Sequence, residues 1–165
     1  MSLHNAVVDW SLDADIPDKD YLAGRYSRAH TITFDGGLTV PASASPSVVR
    51  TPWSREDAAD PEELLVASAA SCHMLWFLDF AKHDGHVVRR YHDEPEGTMG
   101  KMADGSTGVV QVFLRPAVEF GGVPPTAEEL AALHHRAHAA CNIANSLKGE
   151  VVVEPVTPVV TPVAV

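Results

Sequence analysis

Asp60-Pro61-Glu62-Glu63-Leu64-Leu65-Val66-Ala67-Ser68-Ala69-Ala70-Ser71-Cys72-His73 is the stretch that decides the fold. Its opening residues mark a helix start. Asp60 is an N-cap acid, Pro61 suits the first helical position, and Glu63 stands three residues on as a capping-box partner. Gly85 is the next stop signal. The predicted helix is therefore about 24 residues and ~36 Å long at 1.5 Å per residue. Its most apolar run, Leu64 to Leu78, covers about 15 residues, short of the ~20 that span a membrane. It reads as a central core helix, apolar on most sides.

Strand and turn signals fill the chain before this helix: Ala6 to Trp10, Arg28 to Phe34 and Leu38 to Val40. Asp35-Gly36-Gly37 joins the last two into a hairpin of roughly 25–42. Residues 41–60, with Pro41, Pro46 and Pro52, read as an extended loop, and long loops in small domains often carry function. After the helix, Val87 to Tyr91 and Val109 to Leu114 suit strands, separated by glycine-marked turns at Gly97, Gly100 and Gly105. Thr126 caps a second helix with Glu129 as its box partner. Its apolar stripe, Leu130, Leu133, Ala137, Ala140, Ala144 and Leu147, predicts continuation to Gly149. Val151 to Val153 is a last strand. The expected fold class is α+β, with a single domain over 1–155 and a Pro/Val-rich tail over 156–165 at a sheet edge or in solvent.

At 165 residues the chain can bury one real core, and 45% apolar with 21% charged residues excludes a disordered or fibrous protein. A formal net charge of -10 repels polyphosphate, so no nucleic-acid partner is expected. Residues 1–20 lack a basic segment followed by an apolar one, so we expect no secretory signal, no membrane partner and a cytoplasmic location. Thiols stay reduced in cytosol unless they are catalytic, and composition alone favours reading Cys72 and Cys141 as two inert buried thiols. Gly97 to Lys101 has the wrong spacing for a phosphate loop.

Context changes the reading of the cysteines. Each closes an alanine-rich helical stretch, so two packed helices can bring the sulfurs together. A nucleophilic Cys72 needs a nearby cation, and the choices are His73, Arg25, Arg28, Arg50 and Arg55, with Glu62 as the carboxylate that holds an arginine. On one straight helix, however, residues 62 and 72 lie ~15 Å apart. A Glu62 serving Cys72 therefore comes from a second copy across a two-fold axis.

The segment Asp60-Pro61-Glu62-Glu63-Leu64-Leu65, followed by Ala70-Ser71-Cys72-His73 and later by Cys141-Asn142-Ile143-Ala144-Asn145-Ser146-Leu147-Lys148-Gly149, resembles the OsmC/Ohr family of organic hydroperoxide peroxidases. The resemblance covers roughly residues 6–155. It implies antiparallel sheets wrapped around two central helices in an intertwined homodimer with shared active sites, Cys72 as the peroxidatic and Cys141 as the resolving cysteine, and Glu62 in a network with an arginine. Matching the early hairpin makes that arginine Arg28, with Arg50 the second choice. The implied chemistry is reduction of organic hydroperoxides through a Cys72 sulfenic acid and a Cys72–Cys141 disulfide, without cofactor or metal, using a dithiol reductant of lipoyl type. Trp76, Phe77, Leu75, Trp53 and His73 are the expected substrate-binding neighbours. Many relatives have Cys-Pro where this chain has Cys141-Asn142, so no fresh helix is expected at Cys141.

Two alternatives stay open. One is a non-catalytic dimeric stress or binding protein of the same fold, which keeps both cysteines as plain thiols. The other is a metal-binding protein using His134, His138 and Cys141, whose spacing suits a helix-borne metal ligand set.

Overall fold

The computed structural model describes residues 2–156 and 159–161, and α2 spans Pro61–His83 within it. The Asp60 carboxylate accepts the Glu63 N–H at 2.7 Å, and the Glu63 carboxylate accepts the Asp60 N–H at 3.1 Å. Donors left unpaired at a helix start are thus satisfied reciprocally, as the sequence predicts. Gly85, with φ of 85°, takes the left-handed conformation that ends the helix.

The chain divides into two compact units, residues 1–64 and residues 65 onward. In the first, β1 (Ala6–Asp9), β2 (His30–Phe34) and β3 (Thr39–Ala42) form an antiparallel sheet in that order, with Val8 opposite Ile32 and Ile32 opposite Val40. A five-residue helix, α1 (Asp18–Leu22), lies between β1 and β2. It is too short to show a period in sequence. The loop after β3 is pinned: Ser43 N–H donates to the Ala59 carbonyl at 3.0 Å and Ser43 Oγ accepts the Arg55 N–H at 3.0 Å.

In the second unit β4 (Val87–His92), β7 (Ala117–Gly121) and β9 (Val159–Thr161) form one sheet in the order β4-β7-β9. β5 (Glu96–Lys101), β6 (Thr107–Leu114) and β8 (Glu150–Val153) form another in the order β5-β6-β8. The β4–β7 and β5–β6 pairs are antiparallel, but β8 runs parallel to β6 and β9 parallel to β7. Parallel pairing needs a long crossover, which α3 (Ala127–Ala140) helps to supply. β9 places part of the C-terminal tail at a sheet edge. The rest of the tail expectation, 157–158 and 162–165, lies outside the described residues.

Two expectations are corrected here. Gly97 and Gly100 sit inside strand β5, not in turns. A Cβ on Gly97 would lie 2.5 Å from a Val66 methyl, so glycine lets the strand pass over α2. The second helix ends at Ala140, well before Gly149. Cys141 takes an extended backbone (ψ of 106°), and a short 3-10 turn, Ala144–Ser146, follows. Gly149 instead permits a close strand approach, since a Cβ there would lie 2.2 Å from the Val109 carbonyl, where β8 runs beside β6.

The core lies in the second unit. Phe77 and Ala81 of α2 pack with Val118 and Phe120 of β7 and with Leu130, Leu133 and Ala137 of α3. Ala69 packs with Val112, Leu114 and Val151. Along α2 only Ala69, His73, Phe77 and Ala81 are fully buried, one face at four-residue spacing. By length and composition α2 is apolar enough to cross a membrane, which the count from Leu64 to Leu78 alone did not anticipate.

Candidate active site

Cys72 is half-buried on α2, three residues after Ala69, and Cys141 is buried at the end of α3. Both are free thiols, and Cys72 lies near enough to Cys141 to act on its titration. Cys141 Sγ lies 4.0 Å from the Ala69 carbonyl and accepts the Ala144 N–H at 3.3 Å. The sulfur therefore caps the short turn that follows it, and this is why helix α3 stops where it does. Burial, and secondarily the adjoining Cys72, push the Cys141 thiol up to about 11, while the Ala144 N–H opposes the shift. Cys141 rests as a thiol.

His73 follows Cys72 in sequence but points into the helix–helix interface. It is 1% exposed, and its Nε2 is 3.1 Å from Nδ1 of His134, which is 4% exposed. The rings lie nearly parallel, 4° apart, and Phe77 stacks on His134 at 4.4 Å. Desolvation, with a smaller contribution from His138, lowers the His73 pKa to about 4, and desolvation with His73 lowers that of His134 to about 4. His73 is thus neutral at neutral pH and cannot be the cation that activates Cys72. No three His, Cys, Asp or Glu side chains are placed to hold a metal among the described residues. The set His134, His138 and Cys141 is not brought together as a ligand group.

Among the other expected site residues, Arg28, Trp53 and Arg50 are linked through the backbone, Trp53 accepting the Arg28 N–H at 2.9 Å and donating its own N–H to the Arg50 carbonyl at 3.1 Å. Glu62 is half-buried in the first turn of α2 and has no ion-pair partner among the described residues. Arg28 is not held by a carboxylate. Its Nη1 donates to the Gly24 carbonyl at 2.7 Å and to the Tyr26 carbonyl at 2.6 Å, and its guanidinium lies 3.7 Å from the Tyr26 ring centre. Arg50 is exposed. Phe77 is wholly buried and packs in the core. Trp76 packs against that core and stacks on Phe80, Leu75 is exposed, and the Trp53 carbonyl accepts the Arg28 N–H at 2.9 Å.

What sequence reading missed is an aromatic group in the first unit. Trp10, Tyr21 and Tyr26 have ring centres 4.7 to 6.5 Å apart and line, with Arg28, a cavity of 460 Å³. The available signal was the crowding of three large aromatics into the first 26 residues.

Residues 54–156 match the family described as OsmC-like protein. The chain belongs to the OsmC-like family. Across 94% of this chain and all of the other, the structure is similar to an OsmC-like protein of unknown function from Vibrio cholerae, with 46% identity and a TM-score of 0.89. An organic hydroperoxide resistance protein from Elizabethkingia anophelis shares the fold at 18% identity and a TM-score of 0.63, covering 98% of this chain and 97% of that one. An organic hydroperoxide resistance protein from Legionella pneumophila does so at 16% identity and 0.59, covering 98% and 100%. No curated protein matches the chain.

Proposed function

We propose that this OsmC-like protein is a cytoplasmic thiol-dependent peroxidase that reduces organic hydroperoxides to alcohols. The observation that carries the reading is the pairing of the two sulfurs, a half-buried Cys72 beside a buried Cys141. Membership of a family that includes hydroperoxide resistance proteins supports it.

Cys72, as thiolate, attacks the distal peroxide oxygen. The O–O bond breaks, the alkoxide leaves as the alcohol after taking a proton, and Cys72 becomes a sulfenic acid. The Cys141 thiol then displaces the sulfenic hydroxyl. The S–S bond forms as the S–O bond breaks, and the thiol proton leaves with the hydroxyl as water. An external dithiol, of lipoyl type by family analogy, restores both thiols by exchange and is itself oxidised to a disulfide. Keeping Cys141 protonated in the resting state holds it back until Cys72 is oxidised.

The cation comes from a second copy of the chain in this reading. Arg28 of that copy, or Arg50 as second choice, stabilises the Cys72 thiolate, and Glu62 of the same copy orients the arginine. Two observations support the dimer. Glu62 and Cys72 are ten residues apart on the continuous helix α2, ~15 Å along its axis. The first unit also leaves the apolar side chains of Val7, Val8, Leu22 and Leu38 more than 60% exposed, area that contact with a second copy would reduce.

Steady-state peroxide consumption with dihydrolipoamide tests the reading. Cys72→Ser should fall to the uncatalysed rate. Cys141→Ser should turn over once and then be inactivated by further oxidation. Equal activity of both variants, or both thiols still free after one equivalent of cumene hydroperoxide, would sink the proposal in favour of a non-catalytic relative.

A further inference from the structure

The second unit holds a cavity of 290 Å³ that the chemistry above does not use. His134 and His138 stand four residues apart on one face of α3, His135 lies exposed beside them, and Val151, Val153 and Pro155 supply aliphatic wall. Val151 and Val153 are two residues apart, so one face of β8 meets the helix here. The volume is close to the lower end of small-molecule sites, about 300 Å³.

Two ring nitrogens of these histidines, His134 Nε2 and His138 Nδ1, are buried and have no hydrogen-bond partner among the described residues. His134 is 4% exposed, and its Nδ1 is the nitrogen that meets His73, so Nε2 is its unspent end. Native structures leave few buried polar atoms unpaired, because desolvation without a replacement bond is costly. Two on neighbouring turns, at one cavity, point to a ligand that pairs with them. The lining decides its chemistry. It holds no Lys or Arg to offset an anion and no Asp, Glu or Cys to complete a metal's coordination, and two buried imidazoles alone leave an ion short of ligands. A neutral imidazole presents an N–H or a lone pair at each nitrogen according to its tautomer, and a hydroxyl, donor and acceptor at once, matches either.

We infer that this cavity binds a small uncharged hydroxyl compound, its aliphatic body against Val151, Val153 and Pro155 and its hydroxyl paired with His134 Nε2 and His138 Nδ1. The inference does not rest on the peroxidase reading. Binding has a consequence inside the core. Whether the hydroxyl donates to His134 Nε2 or accepts from it, the proton of that ring is fixed, and through the 3.1 Å contact so is that of His73, the residue after Cys72.

The probe is cyclohexanol, with cyclohexanecarboxylate as an anion of similar shape and Zn²⁺ as the metal. Each is titrated into the reduced full-length protein while the imidazole nitrogen signals of the histidines are followed by NMR. Cyclohexanol should shift the His134 and His138 signals saturably and settle those of His73 and His134 on one tautomer. It should bind about tenfold or more tightly than the carboxylate, which must leave water for a wall without a countercharge. His138→Phe and His134→Phe keep a flat ring and remove the nitrogens, and each should weaken cyclohexanol binding by about three- to tenfold. His138 is half-buried, so its variant should fold, and circular dichroism checks this. If His134→Phe misfolds because it strips the buried His73 of its partner, His138→Phe decides. No saturable shift, carboxylate bound as tightly as the alcohol, one equivalent of Zn²⁺ bound through these histidines, or unchanged affinity in a folded variant overturns the site.

Discussion

The two units of this chain are held together in different ways. In the second, Phe77, Phe120, Leu114 and Leu133 are each at most 1% exposed and interlock between two helices and two sheets. In the first, the fully buried side chains are small or polar, Ala42, Ser43, Ser54 and Asp60, while every residue of β1 is exposed. A three-stranded sheet without a packed face is marginal by itself. The contrast supports the proposal that a second copy of the chain completes the N-terminal 64 residues.

Truncation should break the contrast most visibly. Phe77→Ala should cost about 3–5 kcal/mol in denaturant unfolding, because it empties the centre of a close-packed core. Phe34→Ala in the first unit, where the ring is 38% exposed, should cost under about 1 kcal/mol. Similar losses for the two would mean that the first unit has a core of its own.

Acid should act next, and on the second unit. His73 and His134 have folded pKa values near 4 against 6.5 for an unfolded histidine. Above pH 6.5 neither state binds these protons, so this pair contributes no pH dependence there. Between 6.5 and about 4 the unfolded chain binds more protons than the folded one, and stability falls as pH falls, by a few kcal/mol in total. Unfolding free energies measured from pH 7.5 to 4.5 check this. A variant with both histidines replaced by leucine should lose that part of the slope, and an unchanged slope would discard the assignment to this pair.

Dilution should produce the smallest effect and sharpen the contrast. Hydrogen exchange in residues 1–64 should accelerate by about tenfold or more on dilution through the range in which the proposed dimer would dissociate, ahead of the amides of α2 and β6. Uniform exchange across both units at all concentrations would remove the argument for a second copy.

Much of the fold was readable from local signals. The caps at Asp60 and Thr126, the Asp35-Gly36-Gly37 turn and the apolar strands all form where sequence places them. The misses share a cause. Strand β5 has glycines where Val66 and its partner strand come close, so its pattern is set by distant neighbours rather than by its own propensity. Helix α3 has an apolar stripe continuing past Cys141, but the sulfur captures the Ala144 N–H and the chain turns instead. At the site, the importance of Cys72 and Cys141 was legible from their flanking motifs. The neutral His73–His134 pair and the carbonyl-held Arg28 were not, since each depends on residues brought near only by folding.

By itself the sequence determined the long capped helix, the α+β class, family membership and the identity of the two cysteines, because capping, periodicity and motif spacing act over a few residues. Tertiary structure alone decided that Cys141 is a buried thiol beside Cys72, that His73 is an uncharged interface residue, and that three aromatics surround a cavity with Arg28. Burial and desolvation are properties of the packed neighbourhood, and they set the charge of a histidine or a thiol far more than its place in the chain does.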